Sequence, residues 1–293
     1  MINSAPDAAR NRLSFRRGSA YGAGMPSSAR SAAREAEANP AFRVAARAGY
    51  VANGILHLLV GGLVLAVGFG AAEDTDQTGA FRAVAALPLG AAALWALAVG
   101  LVALGCWHVL QAVAPRGLSG RKRIARIAAE APQGIVFVVI GVISAAVALG
   151  ARPRAEQTTE DLSQSILTLP IGGFVLGTAG LVVAGVGVGF VWMGVRRSFH
   201  SKVRIPDGVA GHALSALGAV GFVAKGIALG VVGALVVIAA IRVEPDTAGG
   251  LDGAVSALLA LPTGPLLAGL VGVGFLAYGV FTIFRARYAR LDA

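Results

Sequence analysis

Six long apolar stretches constrain this chain more than any other feature of its sequence. They cover roughly residues 45–69, 88–114, 131–150, 169–195, 213–241 and 261–284. Each stretch holds about 20 or more mostly apolar residues, enough to cross a hydrocarbon core of about 30 Å as a helix. A membrane-spanning β-barrel would need apolar and polar residues to alternate, which these stretches do not do. Because a backbone in lipid must satisfy its own hydrogen bonds, the pattern predicts six transmembrane helices.

Charged residues make up only 14% of the chain, and they are sorted between the connections. Arg and Lys exceed Asp and Glu in the N-terminal segment, in connections 115–130 and 195–212, and in the C-terminal tail. They do not exceed them in connections 71–87, 151–168 and 242–260. Short loops rich in Lys and Arg stay in the cytoplasm. We therefore expect a multi-pass protein of the cell (inner) membrane, with both termini in the cytoplasm.

The net charge of +10 does not indicate a nucleic-acid partner. A nucleic-acid interface needs basic residues clustered on one face or along one helix. Here the basic residues are divided among alternate loops, so we expect the lipid bilayer as the partner and no nucleic acid. A second copy of the chain or another membrane protein stays open as a further partner.

Two short motifs recur three times in the same order. Gly-Ile-x5-Gly places its glycines at Gly54 and Gly61, at Gly134 and Gly141, and at Gly226 and Gly233. Leu-Pro-x-Gly places its proline and glycine at Pro88 and Gly90, at Pro170 and Gly172, and at Pro262 and Gly264. The motifs predict an all-α fold of three tandem two-helix repeats around a pseudo-threefold axis. We divide the chain into a disordered basic tail (1–43) and repeats at 44–118, 119–204 and 205–293.

We interpret both motifs as architecture. Glycines seven residues apart lie about two turns apart on one helix face, where a neighbouring helix can approach closely. The proline of Leu-Pro-x-Gly is predicted in the first turn of the second helix, where its missing N–H costs nothing. Short amphipathic stretches precede this motif, and we expect them at the outer membrane interface.

Further residues complete a family pattern. They are Ala46-Arg47 before the first glycine motif, Asp76-Gln77-x-Gly79-Ala80 after it, and Trp107 with Leu110-Gln111 at the end of the second stretch. With these and the repeated motifs, the chain resembles the domain-of-unknown-function-1206 family of bacterial membrane proteins over about residues 45–291. The resemblance implies three paired-helix units. It implies no established activity and transfers no catalytic residues.

One repeat position carries a polar residue in every copy. The residue before each Gly-Ile is Asn53, Gln133 or Lys225. Three such side chains at one position of a threefold repeat predict a small polar cluster near the axis, toward the cytoplasmic side. The alternative is that Lys225 extends to the headgroups along its aliphatic stem, or that these side chains form interhelical hydrogen bonds.

The other ionisable residues within the stretches do not form a pattern. His57 has Phe137 and Leu229 as its repeat counterparts, so a ring of histidines is excluded. His108 follows Trp107 and is expected to anchor the helix at the interface. Glu130 is expected in the first turn of the third helix, where the helix dipole favours a carboxylate. Four scattered histidines and one cysteine predict no metal site and no cofactor.

Three functions stay open at this point. The scarcity of polar groups and the glycine faces favour a non-enzymatic binding or accessory membrane protein. Three hairpins of one orientation also allow a small-molecule transporter or channel along the repeat axis, as parallel repeats do elsewhere. A membrane enzyme is the third alternative, although the sequence shows no catalytic motif.

Overall fold

The computed structural model describes residues 39–71, 75–113, 120–201, 203 and 205–288. In this part of the chain each repeat contributes a long helix, a short helix and a second long helix. Repeat 1 has α1 (Pro40–Gly68), α2 (Gln77–Ala85) and α3 (Gly90–Val113). Repeat 2 has α4 (Gly120–Ala148), α5 (Ala155–Leu167) and α6 (Gly172–Arg196). Repeat 3 has α7 (Val209–Arg242), α8 (Gly250–Leu259) and α9 (Gly264–Tyr288).

Six of these helices, α1, α3, α4, α6, α7 and α9, are long and apolar enough to cross a membrane. The predicted fold class is therefore confirmed: this is an all-α, polytopic membrane protein of three tandem repeats. We call the end of the bundle formed by residues 40–47, 120–126, 196–201 and 285–288 the basic end. The opposite end, formed by residues 75–89, 150–171 and 243–263, is called the acidic end and holds the three short helices.

Two helices, α1 and α4, begin five or more residues earlier than the hydropathy predicts. α1 begins at Pro40, inside the segment predicted as a tail, because the backbone N–H of Ala41 donates to the side chain of Asn39 at 2.9 Å. This cap and a proline in the first turn form a strong helix start. The rest of the predicted tail, residues 1–38, lies outside the described residues. α4 begins at Gly120, eleven residues before the predicted stretch, because its Arg, Lys and Ala residues favour helix although the segment is not apolar throughout.

The Leu-Pro-x-Gly motif forms a tight turn in all three repeats. The glycine N–H donates to the leucine carbonyl at 2.8–2.9 Å in each copy. Proline occupies the second position of the turn, which its fixed φ favours. The helix then begins at the glycine, so the prediction that the proline lies inside the first helical turn is wrong by two residues. The glycine is required by space: a Cβ at Gly90 would lie 2.1 Å from the carbonyl oxygen of Val84 in the short helix.

The Gly-Ile-x5-Gly faces join each repeat to the one before it. A Cβ at Gly134 would lie 2.9 Å from the carbonyl oxygen of Gly105, and a Cβ at Gly226 would lie 2.6 Å from that of Gly187. Gly54 meets Gly279 in the same way, at 2.8 Å. Thus α4 packs on α3, α7 packs on α6, and α1 packs on α9. Because the first span lies against the last, the three repeats close into a ring.

The contact between the two spans of one repeat differs among the repeats. α1 packs on α3 and α7 packs on α9, whereas α4 and α6 barely touch each other. In repeat 1 a Cβ at Gly49 would lie 2.3 Å from the carbonyl oxygen of Gly100, and in repeat 3 a Cβ at Gly221 would lie 2.5 Å from the Cα of Tyr278. Repeat 2 has bulkier residues at the corresponding positions, among them Ala129 in place of the first glycine. We call the space between α4 and α6 the repeat-2 opening.

Candidate functional site

A cavity of about 560 Å³ lies inside the ring. Its volume is within the range of small-molecule sites, about 300–1,000 Å³. The first span of each repeat turns an equivalent face toward it, at helical positions i, i+3, i+4 and i+7. The lining residues at these positions are Asn53, Leu56, His57 and Val60, then Gln133, Val136, Phe137 and Ile140, then Lys225, Ala228, Leu229 and Val232. The structure therefore brings the three repeat-equivalent polar residues to the wall of one cavity.

Lys225 and His57 meet at the centre of this polar set. The Nζ of Lys225 lies 3.1 Å from Nε2 of His57, and Nδ1 of His57 lies 2.8 Å from the carbonyl oxygen of Asn53. A carbonyl only accepts hydrogen bonds, so Nδ1 carries the proton, and Nε2 of the neutral ring accepts from the ammonium. The Lys225 ammonium is also held 4.5 Å from the centre of the Tyr278 ring, within the range of cation–π attraction. Its side chain therefore contacts the cavity wall.

The other two members of the polar set behave differently. Asn53 is buried, and its own backbone carbonyl orients His57. Gln133 donates from Nε2 to the carbonyl oxygen of Ala129 in its own helix, at 2.9 Å. The residues Asn53, Gln133 and Lys225 therefore share one cavity without forming a three-way hydrogen-bonded cluster.

Arg285 brings a second positive charge to the cavity wall. It lies seven residues beyond Tyr278 on α9, two turns closer to the basic end on the same helix face. One guanidinium nitrogen donates to the Tyr50 hydroxyl at 3.2 Å, and the group stacks on the Tyr50 ring at 4.5 Å. Its Nε is buried and has no hydrogen-bond partner among the described residues. The described lining residues include two cations and no carboxylate.

Sequence reasoning missed Tyr278 and the role of Arg285. Tyr278 has Leu104 and Val186 at the corresponding positions of the other repeats, so no repeated polar pattern marked it. Arg285 was counted only as one charge of the basic C-terminal tail. The available signal was helical periodicity, because Arg285, Tyr278 and Phe275 fall on one face of the last stretch.

His108 and Glu130 form a separate polar contact between α3 and α4. Nδ1 of His108 lies 2.7 Å from Oε2 of Glu130, and the His108 side chain is almost fully buried. The prediction that Glu130 starts a helix is therefore wrong, and the His108 ring contacts the neighbouring span. Because α4 begins ten residues before Glu130, this carboxylate lies in mid-helix and reaches the neighbouring span.

The acidic end has its own polar contacts. Thr75 donates from its backbone N–H and its hydroxyl to the carboxylate of Asp252, which links repeat 1 to α8. Burial raises the pKa of Asp252 above its ordinary value of 3.8, and the two Thr75 hydrogen bonds oppose that rise. Asp76 caps α2 by accepting from the Gly79 N–H at 2.7 Å. Among the described residues, no group of three or more His, Cys, Asp or Glu side chains is placed to hold a metal ion.

Comparison with known proteins now gives the chain a family. The model described as Domain of Unknown Function (DUF1206) matches residues 48–114, 131–197 and 220–289. The chain belongs to this family. The resemblance seen in the sequence is thus confirmed, and each DUF1206 match covers the two spans of one repeat.

One relative extends over nearly the same length. Uncharacterized protein YxxB of Bacillus subtilis (strain 168) is 26% identical over 265 residues, which are 87% of this chain and 94% of that protein. No solved structure matches the chain. The DUF1206 assignment therefore supports the repeat architecture and leaves the molecular function to be argued from the cavity.

Proposed function

We propose that this protein is a non-enzymatic membrane protein that binds a small ligand in the central cavity, beside Lys225. The observation that carries the proposal is the cavity wall, where three equivalent helix faces place Asn53, Gln133 and Lys225 around one space. Mostly apolar walls with a few polar groups are typical of ligand sites. The Lys225 ammonium has three donors, and only one of them is directed at His57.

The binding proposal is tested by filling the cavity. Val232 lines the cavity, whereas Ile241 lies on the same helix and is exposed on the outside of the bundle. The full chain is released from its membrane in mild detergent and weighed by native mass spectrometry. We expect wild type and Ile241→Phe to retain an added mass that Val232→Phe loses. A wild-type protein with no added mass, or equal retention by both variants, would contradict ligand binding.

Transport is the alternative function, and it is supported by the length of the cavity between the two ends of the bundle. The cavity extends from Arg285, which lies near the basic end, to Gln77 and Leu251 at the acidic end. Its positive wall makes chloride a suitable probe. In proteoliposomes loaded with potassium chloride and treated with valinomycin, the binding proposal predicts no protein-dependent chloride efflux. Chloride efflux that Lys225→Ala abolishes would contradict simple binding and support transport along the repeat axis.

We also propose that the basic end faces the cytoplasm of a bacterial cell, so that the protein lies in the inner membrane with both termini inside. The described Arg residues of α1, α4 and α9 support this orientation, because basic loops are retained in the cytoplasm. An alkaline phosphatase reporter fused after residue 293 is expected to be inactive, and a green fluorescent protein fused there is expected to fluoresce. Active phosphatase would reverse the orientation.

A further inference from the structure

The repeat-2 opening exposes part of the cavity wall to the outside of the bundle. Val136 on α4 and Val182 and Val186 on α6 all line the cavity, yet 52%, 61% and 48% of their surfaces are exposed. α4 and α6 are also the least buried of the six spans. These residues lie within membrane-spanning helices, so the medium at the opening is the hydrocarbon of the bilayer.

The opening is specified by the sequence of repeat 2. Repeats 1 and 3 bring their two spans together at a glycine of the second span, which is Gly100 in repeat 1 and Gly274 in repeat 3. A Cβ at Gly100 would lie 3.0 Å, and a Cβ at Gly274 2.0 Å, from the Cβ of an alanine on the first span. At the same positions repeat 2 has Val182 on its second span and Pro132 on its first. Valine and proline prevent the close backbone approach that small residues allow. The gap therefore follows from side-chain size.

The described residues that line the cavity include two cations and no carboxylate to balance them. Lys225 forms no ion pair with a described residue, and its contacts are a neutral imidazole and aromatic rings. Arg285 contributes a second cation and a buried Nε without a hydrogen-bond partner among the described residues. An unpaired charge such as that of Lys225 is costly inside a low-dielectric region, so an anion beside it is favoured.

An apolar cavity, a side opening to lipid and two half-buried cations together describe one class of ligand. We propose that the cavity binds an anionic amphiphile with a single acyl chain, such as a long-chain fatty acid, which enters from the bilayer between α4 and α6. Its carboxylate accepts hydrogen bonds from Lys225 and lies in the field of Arg285, and its chain lies against the valines of the opening. This inference rests on the proposed function and names the ligand class of the same site.

The proposal is tested by photolabelling of the full chain in phosphatidylcholine nanodiscs. The probe is palmitate that carries a diazirine, and oleate, oleyl alcohol and acetate are the competitors. We expect oleate to compete, because it has both the chain and the charge, while oleyl alcohol and acetate each lack one of them. If oleyl alcohol competed as well as oleate, the two cations would not contribute to binding. Competition by acetate alone would indicate a small anion, and either result overturns the proposal.

Matched variants locate the charge and the opening. Lys225→Gln is expected to raise the oleate concentration needed for half-maximal competition by at least about tenfold. Lys225→Arg and the exposed control Lys122→Gln are expected to leave that concentration unchanged. Val186→Trp is expected to reduce labelling by narrowing the opening, and Val188→Trp is its control, because Val188 is exposed on α6 outside the cavity wall. Thermal unfolding of each variant shows whether it is folded. Unchanged binding by folded Lys225→Gln, or equal labelling of the two tryptophan variants, overturns the proposal.

The two proposals fail in different ways. If the added mass of the native protein is lost on filling the cavity but neither oleate nor the palmitate probe binds, the ligand class is wrong and the binding function stands. If the native protein holds no added mass and no probe labels the cavity, both proposals fall.

Discussion

Repeat 2 differs from repeats 1 and 3 in one respect that decides what the bundle can enclose. All three repeats use their first span in the same way, against the second span of the preceding repeat. Only repeats 1 and 3 also pack their own two spans together, through Gly49 and Gly221. Repeat 2 has Ala129 at that position and an opening beside it. The comparison shows that ring closure and repeat compactness are separate properties, set by different small residues.

The largest expected effect comes from bulk at the closed contact. In Gly221→Val the new side chain meets the backbone of Tyr278, which cannot move aside as a flexible side chain would. Overpacking costs typically about 1–3 kcal/mol, and we expect the upper end of that range here. Ala129→Val is the matched control at the exposed position of repeat 2. Thermal unfolding in detergent should separate the two, and equal losses would show that α4 and α6 are packed after all.

A smaller loss is expected where the ring closes. A Cβ at Gly61 would lie 2.9 Å from the carbonyl oxygen of Gly272, whereas a Cβ at Gly62 would meet no atom of the described residues within 4 Å. Gly61→Ala should destabilise by about 1–2 kcal/mol. Gly62→Ala should be neutral or stabilising by up to about 1 kcal/mol, because alanine is the better helix former. The same unfolding assay applies. A neutral Gly61→Ala would mean that α1 and α9 are not in close contact.

The polar contact between α3 and α4 has an aromatic counterpart one repeat further on. His108 and Glu130 occupy the repeat positions of Phe190 and Phe222, whose rings stack at 5.8 Å between α6 and α7. Glu130→Ala should cost about 1–2 kcal/mol by leaving a buried imidazole without this carboxylate. The double variant His108→Phe with Glu130→Phe should recover most of that loss, as apolar replacements of buried ion pairs often do. A double variant less stable than Glu130→Ala would show that the two interfaces are not interchangeable.

The smallest effect concerns pH at the acidic end. Burial raises the pKa of Asp252 above its ordinary value of 3.8, and Glu156, Asp76 and Arg82 are the charged groups around it. A raised carboxyl pKa means that the folded state holds the proton more tightly than the unfolded state. Its contribution to stability is therefore fully present below about pH 3.8 and is lost as the pH rises through the folded pKa.

We therefore expect Asp252→Asn to remove part of the pH dependence of unfolding between pH 4 and pH 7. The measurement is the difference between wild-type and variant midpoints across that range. If wild type gains stability relative to Asp252→Asn as the pH rises, the hydrogen bonds from Thr75 outweigh burial and the sign is reversed.

Much of this architecture could be predicted from the sequence because bilayer thickness and small-residue spacing leave a clear pattern. Hydropathy located all six spans, but it misplaced the start of α4, where a charged segment continues the helix beyond the apolar part. The glycine motif predicted a packing face without its partner, since periodicity identifies a face and not the helix that covers it. The position shared by Asn53, Gln133 and Lys225 was readable for the same reason. The Lys225–His57 contact was not, because His57 has no polar counterpart in the other repeats.

The packing of α1 on α9 has a consequence for biosynthesis. When the last residue of α1 has been synthesised, the helix that will cover Gly54 and Gly61 begins about two hundred residues further along the chain. At about 5–20 residues per second, that delay is roughly 10 to 40 seconds. During this time the glycine face of α1 lies against lipid or against the insertion machinery. A nonsense codon just before α9 therefore leaves the first helix without its partner, although the helix itself was synthesised and inserted correctly.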